Sequence, residues 1–149
     1  MGLARFIAGL FNPSARPSAD GSEDPRHRLG REGERLAARY LREQNYKVLY
    51  RNFRAPHGGE LDLVCRDKRH SELVFVEVKT RTSEDYGRPL DAVDQKKRKL
   101  ILRGAMAWLK MLDLPDITFR FDVVEVLMEE PPQITHIENA FQLPANYSY

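Results

Sequence analysis

Cysteine is almost absent: Cys65 stands alone in 149 residues. One thiol cannot build an internal disulfide framework, and its isolation suits a reducing, cytoplasmic setting. Histidine is nearly as scarce. The four that occur, at 27, 57, 70 and 136, are scattered and fit no zinc-ligand spacing. Long apolar runs are missing too. No stretch approaches the roughly 20 residues that a membrane helix needs, so no transmembrane segment is expected. The opening MGLARFIAGLF is apolar but short. It lacks a basic start and a small-residue cleavage site, and reads as a loosely ordered tail rather than a signal peptide. Residues 12–28, NPSARPSADGSEDPRHR, hold almost no apolar side chain and cannot bury enough surface to order themselves. Residues 1–28 are therefore expected to form a disordered or loosely ordered arm. Basic residues nearly vanish at the other end. Residues 111–149 hold 1 Lys or Arg against 7 acidic residues, whereas residues 1–110 hold 23 against 15. The small net charge of +2 thus hides a basic portion suited to an anionic partner.

What is present is enough for one domain with a real core. Hydrophobic residues make up 42% and charged residues 31%, a soluble globular balance. Leu36, Ala37, Tyr40 and Leu41, with Gly33, recur at helical spacing and predict a helix over 29–44. YKVLYRNF (46–53) reads as a strand after a helix stop at Asn45, and APHGG (55–59) as a turn. Strands are expected over 60–66 and 72–80, a loop over 83–89, a long helix over 91–112 and a strand over 118–128. The folded domain is expected to span 29–128. Residues 129–149 form a tail with a further edge strand at 133–143. The order αβββαβ predicts an α/β domain with a mixed central sheet flanked by helices.

Charges on the central strands pose the functional question. Leu73, Phe75, Glu77 and Lys79 share one face of their strand, and Val74, Val76 and Val78 the other. A strand apolar on both faces is central and covered on both sides. Glu77 and Lys79 therefore belong near its end, at the rim of the core. Burying either charge alone is costly. Asp62, on the preceding strand, can converge on Glu77 if the turn sets the register. Two carboxylates and a backbone carbonyl make a hard oxygen site suited to Mg²⁺. Lys79 would stand beside it, placed to orient a water and to stabilise developing negative charge. A plainer reading stays open: Glu77 and Lys79 as a strand-end ion pair, with Asp62 facing solvent. Glu34 lies off the arginine face formed by Arg31, Arg35, Arg39 and Arg42, at the edge of the apolar stripe. It is either a third acidic contributor or a surface residue paired with an arginine.

GREGERLAARYL (30–41), GELDLV (59–64), FVEVKTR (75–81) and RFDVVEV (120–126) occur in this order. Together they resemble the YraN-like family of small bacterial proteins. That family is similar to archaeal Holliday-junction resolvases and, more broadly, to the PD-(D/E)XK nuclease superfamily with its restriction-endonuclease-like fold. The resemblance covers residues 29–128. It implies an endonuclease that hydrolyses phosphodiesters with Mg²⁺ (or Mn²⁺) and needs no small-molecule cofactor. Asp62 stands at the superfamily's metal-binding Asp, Glu77 and Lys79 at its acidic–lysine pair, and Glu34 at the helical acidic position of resolvase-like members. Asp62, Glu77 and Glu34 would bind metal, and Lys79 would position water.

The expected partner is DNA, branched or otherwise structured. Lys96, Lys99, Arg103 and Lys110 fall in one stripe of the long helix, opposite Ile101, Ala105, Trp108, Leu109 and Leu112. Such a stripe offers phosphate contacts or is simply a solvated face. Arg81 can reach a phosphate near the proposed metal or pair with a neighbouring acid. His57 and Tyr86 lie in loops where a substrate contact is conceivable but exposure is the plainer role. Asp122 is expected to pair with a helix arginine or with Arg120, and Trp108 to be core. Resolvase-like relatives act as dimers, so a homodimer enters as an expectation that no sequence feature fixes. The alternative function is a DNA-binding or protein-interaction module on the same fold, without hydrolysis.

Overall fold

A computed structural model describes residues 23–83, 94–113 and 116–142. The elements are α1 (Pro25–Glu43), β1 (Tyr46–Arg54), β2 (Glu60–Asp67), β3 (Glu72–Thr82), α2 (Gln95–Leu112), β4 (Phe119–Met128) and β5 (Gln133–Phe141). The five strands form one sheet in chain order. β1, β2 and β3 pair antiparallel, β3 and β4 parallel, and β4 and β5 antiparallel. The parallel β3–β4 step needs a crossover, and α2 is carried in it. The result is the expected α/β architecture, a mixed sheet with helices, consistent with a restriction-endonuclease-like fold.

Both helix starts differ from the sequence reading. α1 begins at Pro25, four residues before Leu29. Asp24 caps it, its side chain accepting from the Arg26 amide at 3.0 Å. Proline is pre-organised for the first helical turn, where its missing N–H costs nothing. α2 begins at Gln95 rather than 91, because Asp94 takes an extended φ/ψ and caps the Lys97 amide at 2.8 Å. Residues 91–93 lie outside the described residues, as do the opening MGLARFIAGLF, most of the following arm, Tyr86, and residues 143–149.

Two apolar layers flank the sheet. On one side α1 buries Gly33, Ala37, Ala38 and Leu41 against Leu63, Cys65, Val74, Val76, Val124 and Val126. On the other, α2 buries Ile101, Ala105, Trp108 and Leu109 against Phe53, Leu61, Phe75 and Phe121. Trp108 is fully buried, edge-on to Phe53 at 5.3 Å between ring centroids. Each helix comes close at a glycine. A Cβ on Gly33 would lie 1.9 Å from Thr80 Oγ1, and one on Gly59 would lie 2.3 Å from the Gly104 backbone nitrogen. These contacts seat α1 on β3, and α2 on the start of β2.

A buried polar cluster closes the end of the sheet near the β2–β3 turn. Arg120 donates to Asp122, Asp67, Glu72 and the Tyr46 hydroxyl. Asp122 also meets His136 Nε2 at 2.8 Å and accepts from the Asn139 amide. The expected Asp122–Arg120 pair is thus part of a larger network. Its far side comes from β5, which lies at the edge of the sheet beside β4.

Candidate active site

β2 and β3 pair from Asp67–Glu72 to Leu63–Val76, where the ladder ends. Both strands continue: β2 back to Glu60, and β3 on to Thr82 along β4. Asp62 and Glu77 would be the next facing pair. Instead, Asp62 Oδ2 accepts the Val78 amide at 2.9 Å. A side-chain acceptor replaces a main-chain one just where the strands stop pairing. Glu77 follows Leu73 and Phe75 on the α2 side of β3, as the period of two requires, and is only 6% exposed.

The parted strands open a cleft of about 370 Å³ that both helices reach. Glu34 and Arg26 line it from α1, Asp62 and Glu77 from the strands, and Lys97 from α2. Burial raises the Glu77 carboxyl to about 9, helped by the charge of Asp62 and a hydrogen bond between the two carboxyls. Lys97 and Lys79 pull it the other way. Glu34 is also raised, first by burial and then by Asp62, while the Asn52 amide, Lys97 and Arg51 oppose the shift. Both shifts express crowded negative charge in a partly dry place, a condition that a cation relieves.

The three expected acids therefore meet in one cleft. Asp62 and Glu77 are neighbours, and Glu34 faces them from α1. Among the described residues, no three His, Cys, Asp or Glu side chains converge tightly enough to form a ready three-ligand cage. The donor chemistry nevertheless fits Mg²⁺, which takes one or two carboxylates and keeps several waters. Lys79 is half-buried on β3 beside Glu77 but does not line the cleft. Arg81 lies 3.6 Å from Glu125 on β4, in a largely buried ion pair, and does not line it either. Lys96, Lys99 and Arg103 are exposed on the outer face of α2. Arg103 lies beside the turn at Gly58, and His57 is exposed in that turn.

Lys97 is the residue that the sequence reading missed. Its ammonium bonds Glu60 and lies 3.7 Å from Glu77 Oε1. The signal was available: Ile101, Gly104, Ala105 and Trp108 stand 4, 7, 8 and 11 residues from Lys97, along the buried stripe of α2. A lysine on that stripe has to reach something anionic. Asn52 was missed as well. It lies on β1 in the left-handed region, φ 52°, which asparagine tolerates better than most residues.

Fold and site together define a mixed α/β protein of restriction-endonuclease-like architecture, with a carboxylate-lined cleft where two central strands part. The family model described as "Uncharacterised protein family UPF0102" matches residues 33–126, from Gly33 beside Glu34 to the end of the β4 core, and this chain belongs to that family. A UPF0102 protein of Trichlorobacter lovleyi is 49% identical over 117 residues, covering 77% of this chain and 91% of that one. One of Geobacter metallireducens is 48% identical over 116 residues, covering 77% and 93%. One of Chlorobaculum parvum is 43% identical over 120 residues, covering 76% and 91%. The expected family resemblance is borne out. These names carry neither substrate nor reaction. No helix among the described residues is long and apolar enough to cross a membrane.

Proposed function

We propose that this protein is a divalent-cation-dependent endonuclease acting in the cytoplasm on branched or structured DNA. The observation that carries the reading is the apposition of Asp62 and Glu77 where the β2–β3 ladder ends. Two carboxylates forced together in a half-dry cleft, with Glu34 opposite, are poorly placed as structural residues and well placed as cation ligands.

Asp62, Glu77 and Glu34 would hold Mg²⁺ or Mn²⁺, which when bound lowers the pKa of a coordinated water and polarises a phosphoryl oxygen. The Val78 amide fixes the Asp62 carboxylate through Oδ2. Lys79, on the same face of β3 as Glu77, orients the attacking water and offsets charge that builds on the phosphate. Glu34, with its pKa raised, is suited to hold or take a proton at its carboxyl. Lys96, Lys99 and Arg103, exposed outside the cleft, supply salt-dependent phosphate contacts without sequence readout, while Arg81 is held by Glu125. Cutting both strands of a branched substrate needs two such sites, so a homodimer belongs to the proposal.

The test is a panel of duplex, flapped and four-way DNA, incubated with the full chain and Mg²⁺ or Mn²⁺. Cleavage that is lost in Asp62→Asn and Lys79→Met while DNA binding persists supports the enzyme. A second reading draws on Lys97, whose ammonium already neutralises part of the acidic cluster: a DNA-binding or interaction module without hydrolysis. Binding that both substitutions leave unchanged, with no product under any cation, favours that module.

A further inference from the structure

The geometry points to Lys97 as the resident counter-cation of the cleft, one that bridges Glu60 and Glu77 when no divalent ion is bound and competes with such an ion for Glu77. The inference rests on the cation-site reading above. It adds a role for a residue outside the acidic–lysine pair on β3.

Three observations carry it. The Lys97 ammonium touches two carboxylates at once, bonded to Glu60 and 3.7 Å from Glu77 Oε1, and it lines the same cleft as Asp62 and Glu34. Its backbone cannot drift, because its amide is capped by Asp94 at 2.8 Å and α2 is seated on β2 by the contact between Gly59 and Gly104. Its side chain is 28% exposed, so the ammonium is shielded without being sealed in and is free to swing away on its four-carbon stem. A surface ion pair would need one partner. This lysine instead stands within reach of the carboxylate that a divalent ion must share. Like charges at such separations repel strongly in a partly dry cleft. An incoming cation must therefore displace the ammonium from Glu77 or bind against it. Glu60 gives the displaced ammonium a place to stay.

Mn²⁺ binding measured by calorimetry on the full chain, together with melting temperature with and without Mn²⁺, tests this. Lys97→Met keeps the stem and removes the charge, so it should tighten Mn²⁺ binding by about tenfold or more. Lys97→Arg keeps the charge and should leave the affinity within about threefold of the wild type. Without Mn²⁺, Lys97→Met should melt lower than the wild type, and saturating Mn²⁺ should narrow that gap. Should Lys97→Met not fold, Glu60→Gln serves instead: it frees the ammonium for Glu77 and should weaken Mn²⁺ binding, and an unchanged or tighter affinity overturns the inference. Equal or weaker affinity in folded Lys97→Met overturns it too, while leaving the cation site standing. Mn²⁺ binding to neither protein overturns both.

Discussion

The Val78 amide donates to Asp62 Oδ2 at 2.9 Å, one step beyond the last β2–β3 backbone pair at Leu63 and Val76. This single bond ties the fold to the site. It satisfies a main-chain donor that the parted strands leave without a ladder acceptor, and it aims a carboxylate at Glu77. The structural and electrostatic roles of Asp62 can be separated by substitution. Asp62→Asn keeps an acceptor for Val78 and removes the charge. Its stability should stay within about 1 kcal/mol of the wild type, with divalent-cation binding lost. Asp62→Ala removes both and leaves the amide unsatisfied, for a further loss of about 1–3 kcal/mol. Urea denaturation of the two variants checks the difference. Equal stabilities would mean that the bond to Val78 contributes nothing.

The same crowding makes stability depend on pH. The Glu77 carboxyl is raised from 4.5 to about 9 by burial and by Asp62. Between those values the folded protein keeps a proton that the unfolded chain has released. This contribution is full below about 4.5, falls across the window with a slope of up to about 1.4 kcal/mol per pH unit for one proton, and levels off above the folded value. Glu34 is shifted the same way. Asp67, Asp122 and Glu138 are shifted down by their partners and act in the opposite sense, losing stability only at acid pH. Urea denaturation from pH 5 to pH 9 should show the decline in the wild type, and Glu77→Gln should flatten it. A wild type whose stability does not fall toward pH 9 would contradict the assignment.

Much of this site was legible from strand periodicity. Alternation placed Glu77 with Leu73 and Phe75, and the helical wheel set Glu34 off the arginine face. What period-two reasoning could not give was the parting of β2 from β3, because a strand's pattern says which face a residue takes and not where its pairing stops. Lys97 was overlooked for a different reason. The stripe of Lys96, Lys99, Arg103 and Lys110 draws attention to the solvent face of α2, whereas Lys97 stands with Ile101 and Trp108 on the buried side. The early start of α1 was hidden by composition: the Asp24–Pro25 cap lies in a polar stretch that looked like the end of an arm. The network around Arg120 depends on β1 and β5 side chains meeting over one end of the sheet, a long-range closeness that no local pattern carries.

The seating of α2 offers a further prediction. A Cβ on Gly59 would fall 2.3 Å from the Gly104 nitrogen and 2.6 Å from the Arg103 carbonyl carbon. Both are backbone atoms, so no side chain can rotate aside. Gly59→Ala must push α2 off the start of β2, at a cost of about 3 kcal/mol or more. Because Lys97 rides on that helix, the substitution should also disturb its bond to Glu60. A thermal melt reads the first effect. A folded Gly59→Ala protein with wild-type stability would show that the approach is looser than described.

Arg120 makes the opposite test, at the other end of the sheet. Its guanidinium serves Asp67 and Asp122, both fully buried, together with Glu72 and the Tyr46 hydroxyl. Arg120→Met keeps an apolar stem of similar length but leaves Asp122 with His136 and Asn139, and Asp67 with Arg69. Removing one partner from a buried charge cluster costs about 3–5 kcal/mol, because the remaining charges stay desolvated. The loss should shrink when Asp122→Asn is added, since one uncompensated carboxylate then disappears. Mn²⁺ affinity should not change in either protein, because the network shares no residue with the cleft. A double-mutant cycle by denaturation reads the coupling. Additive losses would mean that Arg120 and Asp122 do not stabilise each other, and a changed Mn²⁺ affinity would mean that the two ends of the sheet are linked.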